Sequence, residues 1–282
     1  MDLSEIVLGP FVFSTGAMVL LIGIMISSWM LARTVHEKKL SIRFLNDYFL
    51  LYLVVGVLMG RAGAVLDIWP TISENMMHTA GTGEAVLVFL RDTVSFWQGG
   101  VDFLWAGIGF FITFLVLCFL RNENILSWLD AFSLPLLLLF VFLEIGSFLA
   151  GWDYGAPVDE NFIFAISYDL TDVRYSGYIH PVQLYAAIAF GLLFVGGMVL
   201  WSEKLEKQWQ SGIFGGIFLS ATFMVNGILE FFRGEKGTLL FNDSVPLSQL
   251  LSFGLGILIF SFMIWKGHFQ VFSKLRTFSH LS

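Results

Sequence analysis

The chain is 282 residues long, 57% hydrophobic and only 13% charged, with 31 phenylalanines and a formal net charge of -7 at pH 7. Such apolar content excludes an ordinary soluble domain, and an acidic balance with scattered basic residues excludes a nucleic-acid-binding surface. The one cysteine, Cys118, lies in an apolar run, which rules out an intramolecular disulfide or a multi-cysteine zinc site and leaves it as a small core hydrophobe.

The first residues, Met1-Asp2-Leu3-Ser4-Glu5, are acidic and lack the basic region of a cleavable signal peptide, so the first apolar segment is expected to stay as an anchor. Long, mostly apolar runs predict seven spans, near residues 10–32, 46–68, 101–120, 126–150, 182–201, 212–232 and 247–266. The expected fold is all-α: a polytopic membrane protein of about seven transmembrane helices forming a single integral membrane domain over residues 1–282.

Basic residues set the expected orientation. Arg33, Lys38, Lys39 and Arg43 follow the first span, Arg121 follows the third, Lys204 and Lys207 follow the fifth, and Lys266, Lys274 and Arg276 lie in the tail. All fall on one side, which places the N-terminus outside and the C-terminus in the cytoplasm. Residues 69–100 and 151–180 then become extracytoplasmic loops. In the first, Val86, Leu87, Leu90, Val94 and Trp97 recur at helical spacing, as in a helix lying in the interface plane. The second, rich in Gly, Asp and Tyr, is expected to form a compact loop over the membrane face.

Within the second span, Gly56-x-x-x-Gly60 with Gly63 reads as a close helix-packing face. The spans also carry ionisable groups, each costing about 2.5–3.5 kcal/mol at mid-helix unless it reaches water or a partner. Arg61 lies in the second span and Glu144 in the fourth, while Glu230 and Arg233 stand at i, i+3 at the end of the sixth, one turn after Asn226. Two readings follow. In one, Arg61 neutralises Glu144 or Glu230 and holds a bundle together. In the other, fixed positive charge lines a cavity for a lipid phosphate and a carboxylate organises it.

His180-Pro181-Val182-Gln183-Leu184-Tyr185 opens the fifth span. Proline in a first helical turn loses no intrahelical hydrogen bond, so His180 is expected at or just before a helix N-terminus, where unpaired amides attract anions. Either it caps the helix while Tyr185 anchors at the interface, or the two belong to a site for a phosphate-bearing head group.

These pieces, in order, resemble the prolipoprotein diacylglyceryl transferases. Gly60-Arg61-Ala62-Gly63 looks like the family's second-span arginine motif, and Trp97-x-Gly99-Gly100 with Gly107-Ile108-Gly109 like its tryptophan and paired-glycine motif. Gly146-x-Phe148-x-x-Gly151 with Tyr154-Gly155 is similar to part of the family signature. His180-Pro181-x-Gln183-Leu184-Tyr185 matches its His-Pro-Ser-Gln-Leu-Tyr, Glu230-Phe231-Phe232-Arg233 its Glu-Phe-x-Arg element, and Gln249-Leu250-Leu251-Ser252 the start of its last span. The chain departs from the pattern at Glu144 and Asn226, which stand where the family carries arginines, at Leu104, where it often has His or Tyr, and at Ile179, where an arginine usually precedes the His-Pro pair.

The resemblance implies an enzyme of the bacterial cytoplasmic (inner) membrane that moves diacylglycerol from phosphatidylglycerol, a membrane lipid, to the lipobox cysteine of a prolipoprotein signal peptide. Neither a metal nor a nucleotide cofactor is required. It makes His180 and Glu230 the expected catalytic residues, and Glu144, a departure from the pattern, is added as a candidate base replacing the lost arginine. Arg61, Arg233, Gln183, Tyr185, Tyr154, Gly99, Gly100 and Gln249 are then expected to bind substrate. The alternatives are a catalytically inactive paralogue that binds lipid or lipoprotein precursors, and a small transporter, against which the lack of an internal repeat argues.

Overall fold

A computed structural model of the chain describes residues 5–8, 11–67, 69, 72–74, 84, 86–87, 89, 91, 103–167, 177–202, 209–234, 239–240 and 245–279. Strands β1 (Glu5–Leu8) and β2 (Phe11–Ser14) pair antiparallel, with Glu5 opposite Ser14 and Leu8 opposite Phe11. Helices α1 (Thr15–Glu37), α2 (Ile42–Asp47), α3 (Phe49–Asp67), α4 (Phe103–Arg121) and α5 (Ile125–Ala150) follow. After α6 (Val182–Ser202) and α7 (Ile213–Leu229) comes a single 3-10 turn, Glu230–Phe232. Strands β3 (Leu239–Leu240) and β4 (Val245–Pro246) pair antiparallel ahead of α8 (Leu247–Ser279).

Among the described residues six helices are long and apolar enough to cross a membrane and the shorter apolar Trp105–Arg121 joins them, so the fold is that of an all-α polytopic membrane protein. Two span boundaries are corrected. The predicted first span began at residue 10, but residues 11–14 form β2 and α1 starts at Thr15, where Ser14 Oγ accepts the Ala17 N–H at 3.4 Å. Gly9-Pro10 sits between the strands in sequence, and a proline there works against continuing a helix backwards. The second span begins at Phe49 rather than residue 46, because α2 ends at Asp47. In the connection after it, Glu84, Val86, Leu87, Phe89 and Arg91 are helical, with Val86 and Leu87 exposed; Leu90, Val94 and Trp97 lie outside the described residues.

The chain forms two compact units, Met1–Leu40 with Leu126–Ser282, and Ser41–Ile125. In the smaller unit α3 packs on α4, and the predicted glycine face is where they meet: a Cβ on Gly63 would lie 2.1 Å from Trp105 Cδ1. Phe44 meets Phe114 edge-on at 6.0 Å, and Tyr52 meets Phe110 at 5.1 Å. Cys118 is fully buried here, as expected of a core hydrophobe, and Arg61 is buried on α3.

In the larger unit Leu134, Leu137, Val182, Phe190, Phe214 and Phe218 form the core shared by α5, α6 and α7. Helices α1 and α5 cross backbone to backbone, since a Cβ on Gly16 would lie 2.4 Å from the Gly146 carbonyl oxygen. Further along the same pair, Pro135 sits inside α5 and has no N–H to give the Ala131 carbonyl. Thr34 of α1 supplies the missing donor, its hydroxyl lying 2.8 Å from that oxygen and 3.1 Å from its own Leu31 carbonyl.

One end of this unit is tied by Asp130 of α5, only 2% exposed. Its carboxylate accepts the Gly212 and Gly215 N–H groups at 2.9 and 2.8 Å, capping α7 from outside, and faces Lys38 Nζ at 3.5 Å. Helix α5 then carries the chain to the opposite end of the unit, where α6 begins and α7 finishes.

Candidate functional site

The turn after α5 builds the floor of the site. Trp152 N–H donates to the Ser147 carbonyl at 2.9 Å, and Gly151 and Asp153 follow in left-handed conformations, φ 71° and 51°. Within the predicted 151–180 connection, the described residues 151–167 and 177–180 are tied by backbone bridges between Gly155 and Arg233, Pro157 and Ile179, and Ile166 and Ile179. Ala156 donates to Phe232 O at 2.7 Å and accepts from His180 N at 3.0 Å, while Gly234 N donates to Tyr154 O at 3.0 Å. Residues 154–156 are thus bonded both to the end of the 3-10 turn and to the entrance of α6. Gly155 has no room for a side chain there, because a Cβ would lie 2.2 Å from the His180 carbonyl oxygen.

That weave positions His180 just ahead of α6, as the His-Pro pair predicted. The imidazole is half-buried in an aromatic frame: Phe162 and Phe232 stand edge-on at 4.9 and 5.4 Å, and its Nδ1 lies 3.3 Å from Tyr185 Oη. A proton on Nδ1, donated to Tyr185, would leave Nε2 as a base.

Gln183, on the first turn of α6, is only 1% exposed. Its Nε2 donates to the Trp152 carbonyl at 2.5 Å, and its Oε1 has no partner. Glu230, 6% exposed, faces Arg233 with Oε1 3.4 Å from Nη1, while Arg233 Nε is buried without a hydrogen-bond partner. Glu144, one turn before Ser147 on α5, is half-buried, and its electrostatic neighbours are the Arg233 guanidinium and the Asp153 carboxylate. Asp159, in the same loop but fully exposed, is held below the usual carboxylate range by the Asn161 backbone N–H and then by the Asn161 side-chain amide.

The larger unit therefore gathers His180, Tyr185, Gln183, Tyr154, Glu144, Glu230 and Arg233 around the α5 and α7 ends and the α6 start. Gln249 Nε2 donates to the Gly227 carbonyl at 3.2 Å, fastening α8 to α7. Arg61 belongs to the smaller unit. Gly99 and Gly100, with Trp97 and Arg174, lie outside the described residues. Sequence reasoning missed Asp153, read only as part of a turn, and the Phe162 and Phe232 frame, which carries no local signal.

Residues 5–265 match the family model described as prolipoprotein diacylglyceryl transferase. The chain belongs to that family. Its relatives include proteins named phosphatidylglycerol–prolipoprotein diacylglyceryl transferase from Tolumonas auensis, 24% identical over 207 residues and 73% of each chain, and from Rickettsia conorii, 26% identical over 269 residues, 93% of this chain and 95% of the relative. Another, from Rickettsia africae, is 27% identical over 253 residues, 87% of this chain and 89% of the relative. As a member of a diacylglyceryl transferase family, the chain is a membrane transferase.

Proposed function

We propose that this protein transfers a diacylglyceryl group from phosphatidylglycerol to the lipobox cysteine of a prolipoprotein in the bacterial inner membrane, with its N-terminus and the 69–100 and 151–180 connections outside. The observation that carries this reading is the family match over nearly the whole chain, which includes the polar cluster at one end of the larger unit. In the reaction the cysteine sulfur attacks the C3 carbon of the diacylglyceryl group. The C3–O bond breaks, a thioether forms, and the electron pair leaves on the phosphate ester oxygen.

His180 Nε2 accepts the thiol proton while Tyr185 holds Nδ1, and the Phe162 and Phe232 rings fix the imidazole plane. Arg233 meets the charge that grows on the departing phosphate, oriented by Glu230. Gln183 and Tyr154 place the head group. We assign the thiol proton to His180, whose Nδ1 is held by Tyr185 and whose ring is framed by Phe162 and Phe232.

The test is transfer of labelled diacylglycerol from phosphatidylglycerol to a synthetic lipobox peptide by the purified full chain. Arg233→Ala should lower turnover by about a hundredfold or more. A folded wild-type protein that retains lipid yet transfers from no donor tried would leave the binding paralogue as the reading.

A further inference from the structure

Trp152 is bonded through both of its backbone groups. Its N–H donates to the Ser147 carbonyl at 2.9 Å and its carbonyl accepts Gln183 Nε2 at 2.5 Å, which joins the exit of α5 to the first turn of α6. The residues on either side, Gly151 and Asp153, are both left-handed, φ 71° and 51°. Glycine takes that conformation freely, but for Asp153 it is a strained state that persists only where the surroundings enforce it. Further along, backbone bonds supply the enforcement: Tyr154 and Gly155 are tied to Gly234 and Arg233, and Ala156 to Phe232 and His180. At the turn itself, the tie to α6 comes from the Gln183 side chain.

That side chain presents no polar atom to a substrate. It is 1% exposed, and its Oε1 is buried with no hydrogen-bond partner. A carbonyl only accepts, so the amide nitrogen must be the end that meets Trp152, and the oxygen is left where an unmade bond costs stability. We propose that Gln183 is a positioning residue for transfer: through the Trp152 carbonyl it holds the strained 151–153 turn, and with it the 154–156 segment bonded to both His180 and the Arg233 end. The inference rests on the transferase reading and states how Gln183 places the head group in it, by fixing the turn and not by touching the lipid. Without the bond the turn relaxes, and His180 and Arg233 meet the reacting C3–O bond out of register.

The experiment measures steady-state transfer from phosphatidylglycerol to a lipobox peptide by the full chain, for Gln183→Met in the natural and in the Asp153→Gly background. Methionine is of similar length and has no donor. The kcat should fall about tenfold or more while KM for the lipid changes by less than about twofold, because no lipid contact is removed. Glycine at 153 is left-handed without enforcement, so in that background the same substitution should cost no more than about threefold. A kcat that does not fall, a loss carried by KM, or an equal loss in both backgrounds overturns the proposal. Where Gln183→Met does not fold, Gln183→Asn, one methylene shorter, should give the same pattern. If the wild-type protein transfers from no donor, the transferase reading fails. There, or if Asp153→Gly alone abolishes transfer, amide hydrogen exchange of the peptide containing Trp152 decides the link to the turn: faster exchange in Gln183→Met supports the proposal and unchanged exchange overturns it.

Discussion

Single groups decide whether the helix ends of this protein can come together. The Thr34 hydroxyl on the Ala131 carbonyl substitutes for the N–H that Pro135 lacks, and both residues are buried. Thr34→Val should therefore cost about 1–3 kcal/mol, the penalty of a buried unsatisfied carbonyl. In a Pro135→Ala background residue 135 regains an N–H, so the cost of Thr34→Val should shrink by about 1 kcal/mol or more, read as a coupling energy from unfolding in mixed micelles. Equal costs in both backgrounds would show that Thr34 does not serve that carbonyl. Gly155→Ala places a methyl on the His180 carbonyl and must push the 154–156 segment away from α6. Transfer should fall on the order of a hundredfold, as for a misplacement of about 1 Å, with little change in the amount of folded protein. The sequence exposes His180, Glu230 and Arg233 because proline, helix spacing and charge in an apolar run are local signals. It hides Thr34–Ala131 and the Gln183–Trp152 bond, whose partners meet only after the helices pack.

At the scale of elements, length and apolar content made the spans legible, since hydrocarbon thickness fixes how long an apolar run must be. What they could not fix was where a helix starts, which is why residues 11–14 pair as β2 instead of extending α1. Nor did they single out Asp130, one acid near the start of a long apolar helix. Its role comes from α7, whose N-terminal amides at Gly212 and Gly215 it accepts. Asp130→Ala should destabilise the larger unit by about 3 kcal/mol, because two buried N–H groups and Lys38 lose their common acceptor. Asp130→Asn keeps one acceptor and should lose less. The site lies at the other end of these helices, so transfer per folded molecule should survive both substitutions. A fall in turnover with unchanged stability would assign Asp130 a part in the chemistry instead.

For the whole molecule, the proposed orientation rests on charge, and it can be tested because the protein has one cysteine and that cysteine is buried. Single cysteines can therefore be introduced into the natural chain with Cys118 left in place. His36, exposed at the end of α1, lies on the end of the larger unit that carries Lys38 and Lys39, and Glu160, also exposed, lies in the loop that covers the site. With the basic end in the cytoplasm, a membrane-impermeant maleimide added to intact spheroplasts should label Glu160→Cys and leave His36→Cys unlabelled until the cells are lysed. The reverse pattern would put the His180 frame on the cytoplasmic face, where it could not meet a precursor cysteine arriving at the outer surface, and would remove the transferase reading along with the orientation. Labelling at both positions without lysis would indicate leaky membranes, which a cytoplasmic marker cysteine in the same cells identifies. The outcome thus bears on chemistry as much as on topology, since the loop that holds Asp153, Tyr154 and Gly155 can serve the thiol only from the side on which the thiol emerges.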